Sequence, residues 1–288
     1  MDGTKLAMYF DKIEDSKVRC CLCPHNCVIK EGAVGVCRVR KNIGGDLYSL
    51  NYAKITSISL DPIEKKPLYH FHPGSRILSA GTFGCNLKCP FCQNWSIAHR
   101  YADTIEMSSS RLVDKALETV KNGNIGIAYT YNEPSIWYEY VYDTVRLAKE
   151  KGLANVLVTN GFISREPLEQ LLPYIDAMNI DLKAFTVSFY NNICKGSLGN
   201  VKETIAAAYG SCHIEVTTLV IPGLNDSVDE IGELASWLAS ISREIPLHLS
   251  RFFPNYKMDD KPPTPLDILD RARNKAAEYL KNVYLGNV

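Results

Sequence analysis

Apolar residues along this chain fall into two rhythms. From Arg76 onward, short apolar runs alternate with stretches of helical period, the pattern of a parallel α/β architecture. RILSAGT (76–82), IGIAYT (125–130), ANVLVTNG (154–161), AMNIDLK (177–183), HIEVTTLVIPG (213–223) and PLHLSRF (246–252) read as six strands, and VYLGNV near the C-terminus as a seventh. Between them, RLVDKALETVKNG (111–123) sets Leu112, Ala116, Leu117 and Val120 on one helical face and ends at Gly123. SIWYEYVYDTVRLAKEKG reads as a helix closed by Gly152, and REPLEQLLPY as the next. DSVDEIGELASWLASI turns Ile231, Leu234, Leu238 and Ile241 inward, and a last helix spans roughly 265–281. Six βα units predict a partial barrel or an open doubly wound sheet, and in either the ligands gather at the C-terminal strand ends.

Residues 1–75 follow neither rhythm. They are rich in cysteine, poor in helical period, and contain KNIGGDLYSLNYAKITSISLDP, a turn at Gly44–Gly45 between short strands. So few apolar residues need a staple to fold. The predicted division is a cysteine-rich metal-binding lobe over 1–75 and a barrel over 76–288.

Composition narrows the class. The 288 residues are 46% hydrophobic, enough for one large domain with an appendage. Basic and acidic residues balance at 32 each, which argues against nucleic acid, whose binders carry a basic excess. No apolar run approaches the ~20 residues of a membrane helix. The first positions are charged and lack a signal-peptide stretch, so a cytoplasmic location without a membrane partner is expected.

Ten cysteines in such a chain argue against a disulfide framework, and the two tight groups among them, five from Cys20 to Cys37 and three from Cys85 to Cys92, read as two metal sites. Cys85, Cys89 and Cys92 stand at C-x3-C-x2-C spacing with no fourth beside them. A 4Fe–4S cube on three thiolates keeps one iron free of protein ligands, and an amino-acid moiety can chelate that iron. The bland alternatives are a zinc site with a distant fourth ligand, or unliganded thiols. The cysteine loop follows the first strand, YNEP the second, TNG ends the third and DLK the fourth. The unusual polar motifs therefore share one mouth.

With Phe91 just before its last cysteine, GTFGCNLKCPFCQNW resembles the signature of the radical S-adenosylmethionine (SAM) superfamily. The resemblance implies a partial (β/α)6 TIM-like barrel of the radical SAM type. It implies a 4Fe–4S cluster on Cys85, Cys89 and Cys92, and reductive cleavage of SAM to methionine and a 5′-deoxyadenosyl radical. YTYNEP resembles the Gly-Gly-Glu-Pro segment that holds the SAM ammonium in activating enzymes, with Tyr131 and Asn132 in place of the glycines. Asn132 and Glu133 are SAM candidates on that ground; a helix N-terminal charge before Pro134 is the alternative for Glu133. Thr159 and Asn160 match positions near the ribose or methionine end. Asp181 and Lys183 match a pair on SAM polar groups, with a structural ion pair as the alternative. Val220 and its neighbour Ile221 resemble the segment against adenine, and core packing accounts for them equally well.

RCCLCPHNCVIKEGAVGVCRVR, DPIEKKPLYHFHPGS and HLSRFFPNY are similar to the radical SAM enzyme of the AmmeMemoRadiSam system, in the pyruvate formate-lyase activating enzyme-like branch. That implies hydrogen abstraction from an unidentified small-molecule or protein substrate, driven by a reductant such as flavodoxin or ferredoxin. A glycyl-radical activating role on a partner enzyme is one alternative, and a non-catalytic iron–sulfur or zinc module another. Cys20, Cys23, Cys27 and Cys37 have the family spacing and are expected to hold a second metal site, zinc or 4Fe–4S. Cys21 leaves that ligand set open. His25 is expected in a turn, Cys194 and Cys212 as small buried hydrophobes, and Arg251 on a carboxylate.

Overall fold

A computed structural model describes residues 4–100 and 102–288. Eight strands form one sheet: β1 (Ser57–Pro62), β2 (Arg76–Gly81), β3 (Asn124–Tyr129), β4 (Ala154–Thr159), β5 (Ala177–Asp181), β6 (His213–Val220), β7 (Leu247–Arg251) and β8 (Val283–Gly286). Their order in the sheet is their order in the chain. The pairs from β2 through β8 are parallel, and β1 runs antiparallel to β2. A doubly wound sheet reverses its strand order at a switch point. This one does not reverse, so it curls, and with β1 and β8 at opposite edges it is a partial TIM-like barrel.

One helix crosses between each successive parallel pair: α1 (Ser109–Glu118), α2 (Tyr138–Glu150), α3 (Arg165–Leu171), α4 (Leu198–Ala208), α5 (Val228–Ile241) and α6 (Leu266–Ala277). Pairing register sorts the strand residues into two faces. Leu78, Ile127, Tyr129, Leu157, Met178 and Ile180 belong to the large core shared with the helices. Ile77, Ala128, Val156 and Ala177 form a separate buried cluster on the concave face with Ile63 and Leu68. Those last two come from the β1–β2 connection, which therefore plugs the barrel. Asn179 holds the plug by donating to the Pro67 carbonyl at 2.8 Å.

Two helical expectations shift. In α1 the buried side chains are Leu112, Val113 and Ala116, while Leu117 and Val120 are exposed. The α-helix stops at Glu118 and tightens into a 3-10 turn, Val120–Asn122, which moves Val120 off the apolar stripe. The segment from Pro134 to Trp137 is likewise 3-10 before α2 begins.

The N-terminal region builds three small sheets instead of a hydrophobic core of its own. Arg40–Ile43 and Asp46–Ser49 form a hairpin joined by Gly44 and Gly45, both with positive φ, the two-residue turn that matches strand twist. Phe10–Lys12, Val18–Cys20 and Val28–Ile29 form a second sheet. Lys54–Ile55 pairs with Ile105–Glu106 beyond the cysteine loop. Residues 4–55 thus lie against the barrel mouth, while residues 57–75 supply β1 and the plug. Among the described residues, no helix is long and apolar enough to cross a membrane.

Candidate active site

The loop after β2 carries Cys85, Cys89 and Cys92, and side chains from the next strand ends close on it. Asn160, just after β4, places its amide 3.7 Å from Cys85 Sγ and donates to Asn86 Oδ1 at 2.9 Å. The Leu87 amide points at the same sulfur at 3.4 Å. Asn132, after β3, accepts from the Thr82 amide and donates to the Gly84 carbonyl, tying YNEP to the cysteine loop. Tyr131 takes a left-handed backbone, φ 70°, to bring Asn132 there. Such a conformation costs on the order of 1–3 kcal/mol in a non-glycine residue. Its phenol is held by Asp61 at 2.9 Å, and Asp61 also binds buried Lys66.

Glu133 is 1% exposed. Its carboxylate accepts from the Ser135 amide at 2.9 Å, the Thr159 hydroxyl at 2.7 Å and the Asn160 amide at 2.7 Å. Burial pushes its pKa up against the pull of those donors. The N-terminal cap foreseen for Glu133 is realised, and the same carboxylate clamps the two SAM candidates of the neighbouring strand.

Asp181 and Lys183 form an ion pair at 2.7 Å at the end of β5. Burial works against the Lys183 charge, but Asp181 and the Cys89 and Cys194 thiols hold its pKa well up. Phe91 is buried and faces Phe189 at 6.0 Å between ring centres. Val220 is fully buried in the main core. Arg251, expected on a carboxylate, instead bonds the Thr264 carbonyl and covers Phe253, and pairs with no carboxylate among the described residues.

Cys194 is more than a small core residue. It ends a π-helical turn, Tyr190–Cys194, of a kind that recurs at functional sites. Its carbonyl accepts from the Lys88 amide of the cysteine loop at 2.8 Å. No spacing in the sequence announces that meeting.

The second cysteine group lies beside the first. Cys20, Cys23, Cys27 and Cys37 line one cavity, together with His25 and Arg40. Cys21 points away, its thiol toward Asp11 at 3.4 Å. His25 bonds the Asn86 carbonyl at 2.7 Å, linking this cavity to the Cys85–Cys92 loop. Burial raises the Cys23 thiol to about 12 and the Cys92 thiol to about 11, so a metal must displace protons to bind at either. Among the described residues, no three His, Cys, Asp or Glu side chains close to the ligand shell of a single ion. A 4Fe–4S cube is wider than one ion. It suits the Cys85–Cys92 loop, where an amide and a carboxamide already aim at sulfur.

A consecutive parallel barrel with three thiols at its mouth defines an enzyme of the radical SAM type. The chain belongs to the Radical SAM superfamily, whose family model matches residues 80–238. Membership implies a 4Fe–4S cluster and SAM. An uncharacterised protein of Methanocaldococcus jannaschii is 46% identical over 288 residues, covering 98% of this chain and 85% of that protein. The pyruvate formate-lyase-activating enzyme of Clostridium pasteurianum is 24% identical, covering 69% of this chain and 88% of its own. Among solved structures, Streptococcus suis SuiB bound to S-adenosylmethionine shares the fold at TM-score 0.58 and 15% identity, over 73% of this chain and 51% of that one.

Proposed function

We propose that this enzyme holds its 4Fe–4S cluster on Cys85, Cys89 and Cys92, binds SAM across the ends of β3 to β6, and abstracts hydrogen from a substrate that is a small molecule or a protein. We place it with the radical SAM enzymes of the AmmeMemoRadiSam system, on the motifs quoted above. The observation that carries the reading is the convergence of Asn160 and Asn132 on the cysteine loop from two separate strand ends. The cluster supplies the electron that cleaves SAM to methionine and a 5′-deoxyadenosyl radical.

The chain's own residues orient and exclude. Asn160 and Thr159 present polar groups to SAM, and Glu133 keeps them in place from behind. Asp181 and Lys183 offer a carboxylate and an ammonium for the polar ends of SAM. The plugged concave face keeps water from below. Arg38, Lys88 and Lys257 gather around His99 at the rim of the cysteine loop, a cationic edge suited to an anionic reductant such as flavodoxin or ferredoxin. The lobe over 1–75 is a second metal-binding unit on Cys20, Cys23, Cys27 and Cys37, and the enzyme works in the cytoplasm.

A second reading, activation of a partner by a glycyl radical, is favoured by similarity to an activating enzyme over more than two thirds of the chain. Anaerobic turnover tests the main reading. Reconstituted protein with dithionite and SAM is expected to release 5′-deoxyadenosine and methionine, and Cys89→Ala to release neither. A full cluster that neither cleaves SAM nor changes its electron paramagnetic resonance spectrum with SAM would sink it. Candidate glycyl radical partners are then scored by their own radical signal.

A further inference from the structure

A buried cation stands in the wall of the N-terminal cysteine cavity with its Nε–H unpartnered among the described residues. Arg40 opens the hairpin strand that follows Cys37 and is 1% exposed. Its Nη1 donates to the Met8 carbonyl at 2.8 Å, and its Nη2 to Glu139 Oε1 at 2.6 Å. Glu139, on α2 of the barrel, is 2% exposed and also accepts from the Met8 amide at 2.7 Å. Among the described residues, Arg40 Nε and Glu139 Oε2 are buried without a partner. A buried donor left unsatisfied costs about 1–3 kcal/mol, more when the group is charged. Charge balance with Glu139 therefore accounts for part of the guanidinium and leaves Nε unexplained.

Acceptors of the right kind stand in the cavity that Arg40 helps to line. Cys20, Cys23, Cys27 and Cys37 line it with Arg40, and their sulfurs are the candidates for Nε. Four thiolates around a zinc ion, or around an oxidised 4Fe–4S cluster, make a dianionic centre in both cases. Burying such a centre requires cations and N–H donors at its edge.

We infer that Arg40 is a positioning residue for a tetrathiolate metal centre in the N-terminal lobe, giving that centre its Nε–H and positive charge while Nη2 stays on Glu139. The inference rests on the lobe metal proposed above. It makes metal loading and docking of the lobe on α2 a single event, because one side chain serves both.

The test uses the full chain with Cys85, Cys89 and Cys92 replaced by Ala, so that bound metal reports the lobe alone. Metal per chain is measured by mass spectrometry and its hold by chelator titration, with thermal melts followed in parallel. Arg40→Gln is expected to loosen the metal at least tenfold, the usual size of an outer-shell effect. That variant also strands the Glu139 carboxylate, so its melt falls for a second reason. Arg40→Gln with Glu139→Gln removes the stranded charge. Recovery of the melt with metal still held at least tenfold more weakly supports the inference, whether the metal is zinc or iron. Recovery of both melt and metal affinity overturns it, leaving Arg40 as the partner of Glu139 only. If the parent binds no metal, or binds it equally well after Cys20→Ala with Cys37→Ala, the lobe site falls and the inference falls with it.

Discussion

The Glu133 carboxylate is enclosed by three protein donors, so its charge holds YNEP and TNG together before SAM arrives. Hydrogen bonds to a charged group contribute roughly 1.5–3 kcal/mol each, with losses that do not add fully. Glu133→Ala is expected to lower stability by about 3 kcal/mol in denaturant melts and to weaken SAM binding at least tenfold in anaerobic calorimetry. Unchanged stability would mean that the loop is held by Asn132 alone. Both roles were legible in the sequence as alternatives, an end charge before Pro134 or a SAM contact. The donors were not legible, because Thr159 and Asn160 meet Glu133 only when β3 and β4 pair. Cys194 makes the same point, since its burial was foreseen but its bond to the Lys88 amide of the cysteine loop needed the fold.

At the scale of elements, the cysteine loop and the N-terminal lobe meet at Gly84. Its φ of 91° lies where side chains are strained, and an added Cβ would fall 2.6 Å from Val39 Cγ1 and 2.8 Å from the Cys37 carbonyl oxygen. Gly84→Ala must therefore push the lobe off the loop or distort the turn. The expected outcome is a loss of about 2 kcal/mol or more in melts, with protease cleavage appearing first within residues 4–55. Wild-type proteolysis would show that the contact can relax. Helix positions were read well wherever the 3.6-residue period continued, as for Ile231, Leu234 and Leu238 in α5. Val120 was misread where the α-helix changes to 3-10, because period alone does not mark that change; Leu117, still within α1, is exposed beside the buried stripe of Leu112, Val113 and Ala116.

For the molecule as a whole, the plug between β1 and β2 is fastened at Glu215. This carboxylate is fully buried and accepts from His248 at 2.6 Å, His213 at 3.0 Å and the His70 amide at 2.7 Å. Burial alone would raise its pKa, but the two histidines and the backbone donors bring it down to about 2. A depressed carboxylate pKa contributes stability in full above its unfolded value of about 4.3, and the contribution is lost as pH falls toward the folded value. Wild type is therefore expected to exceed Glu215→Gln by roughly 3 kcal/mol near pH 6, with the gap closing between about pH 4.5 and 2. A gap that stays constant across that window would remove Glu215 as the fastening. The curled sheet is what sets His70 of this plug against β6 and Tyr284.

The sequence by itself determined the alternation of strands and helices, the motifs at the strand ends and the two cysteine groups, because each is written in local spacing. A period of two or 3.6, a C-x3-C-x2-C run or a Gly-Gly turn needs no distant partner to be recognised. The tertiary structure decided which groups meet. Consecutive strand order chose a barrel over a doubly wound sheet. Closure of the lobe sorted Cys21 from the four thiols that share a cavity. Docking on α2 brought Arg40 to Glu139 across nearly a hundred residues. Such contacts follow from burying charge and apolar surface together, and that balance is settled only once the whole chain has packed.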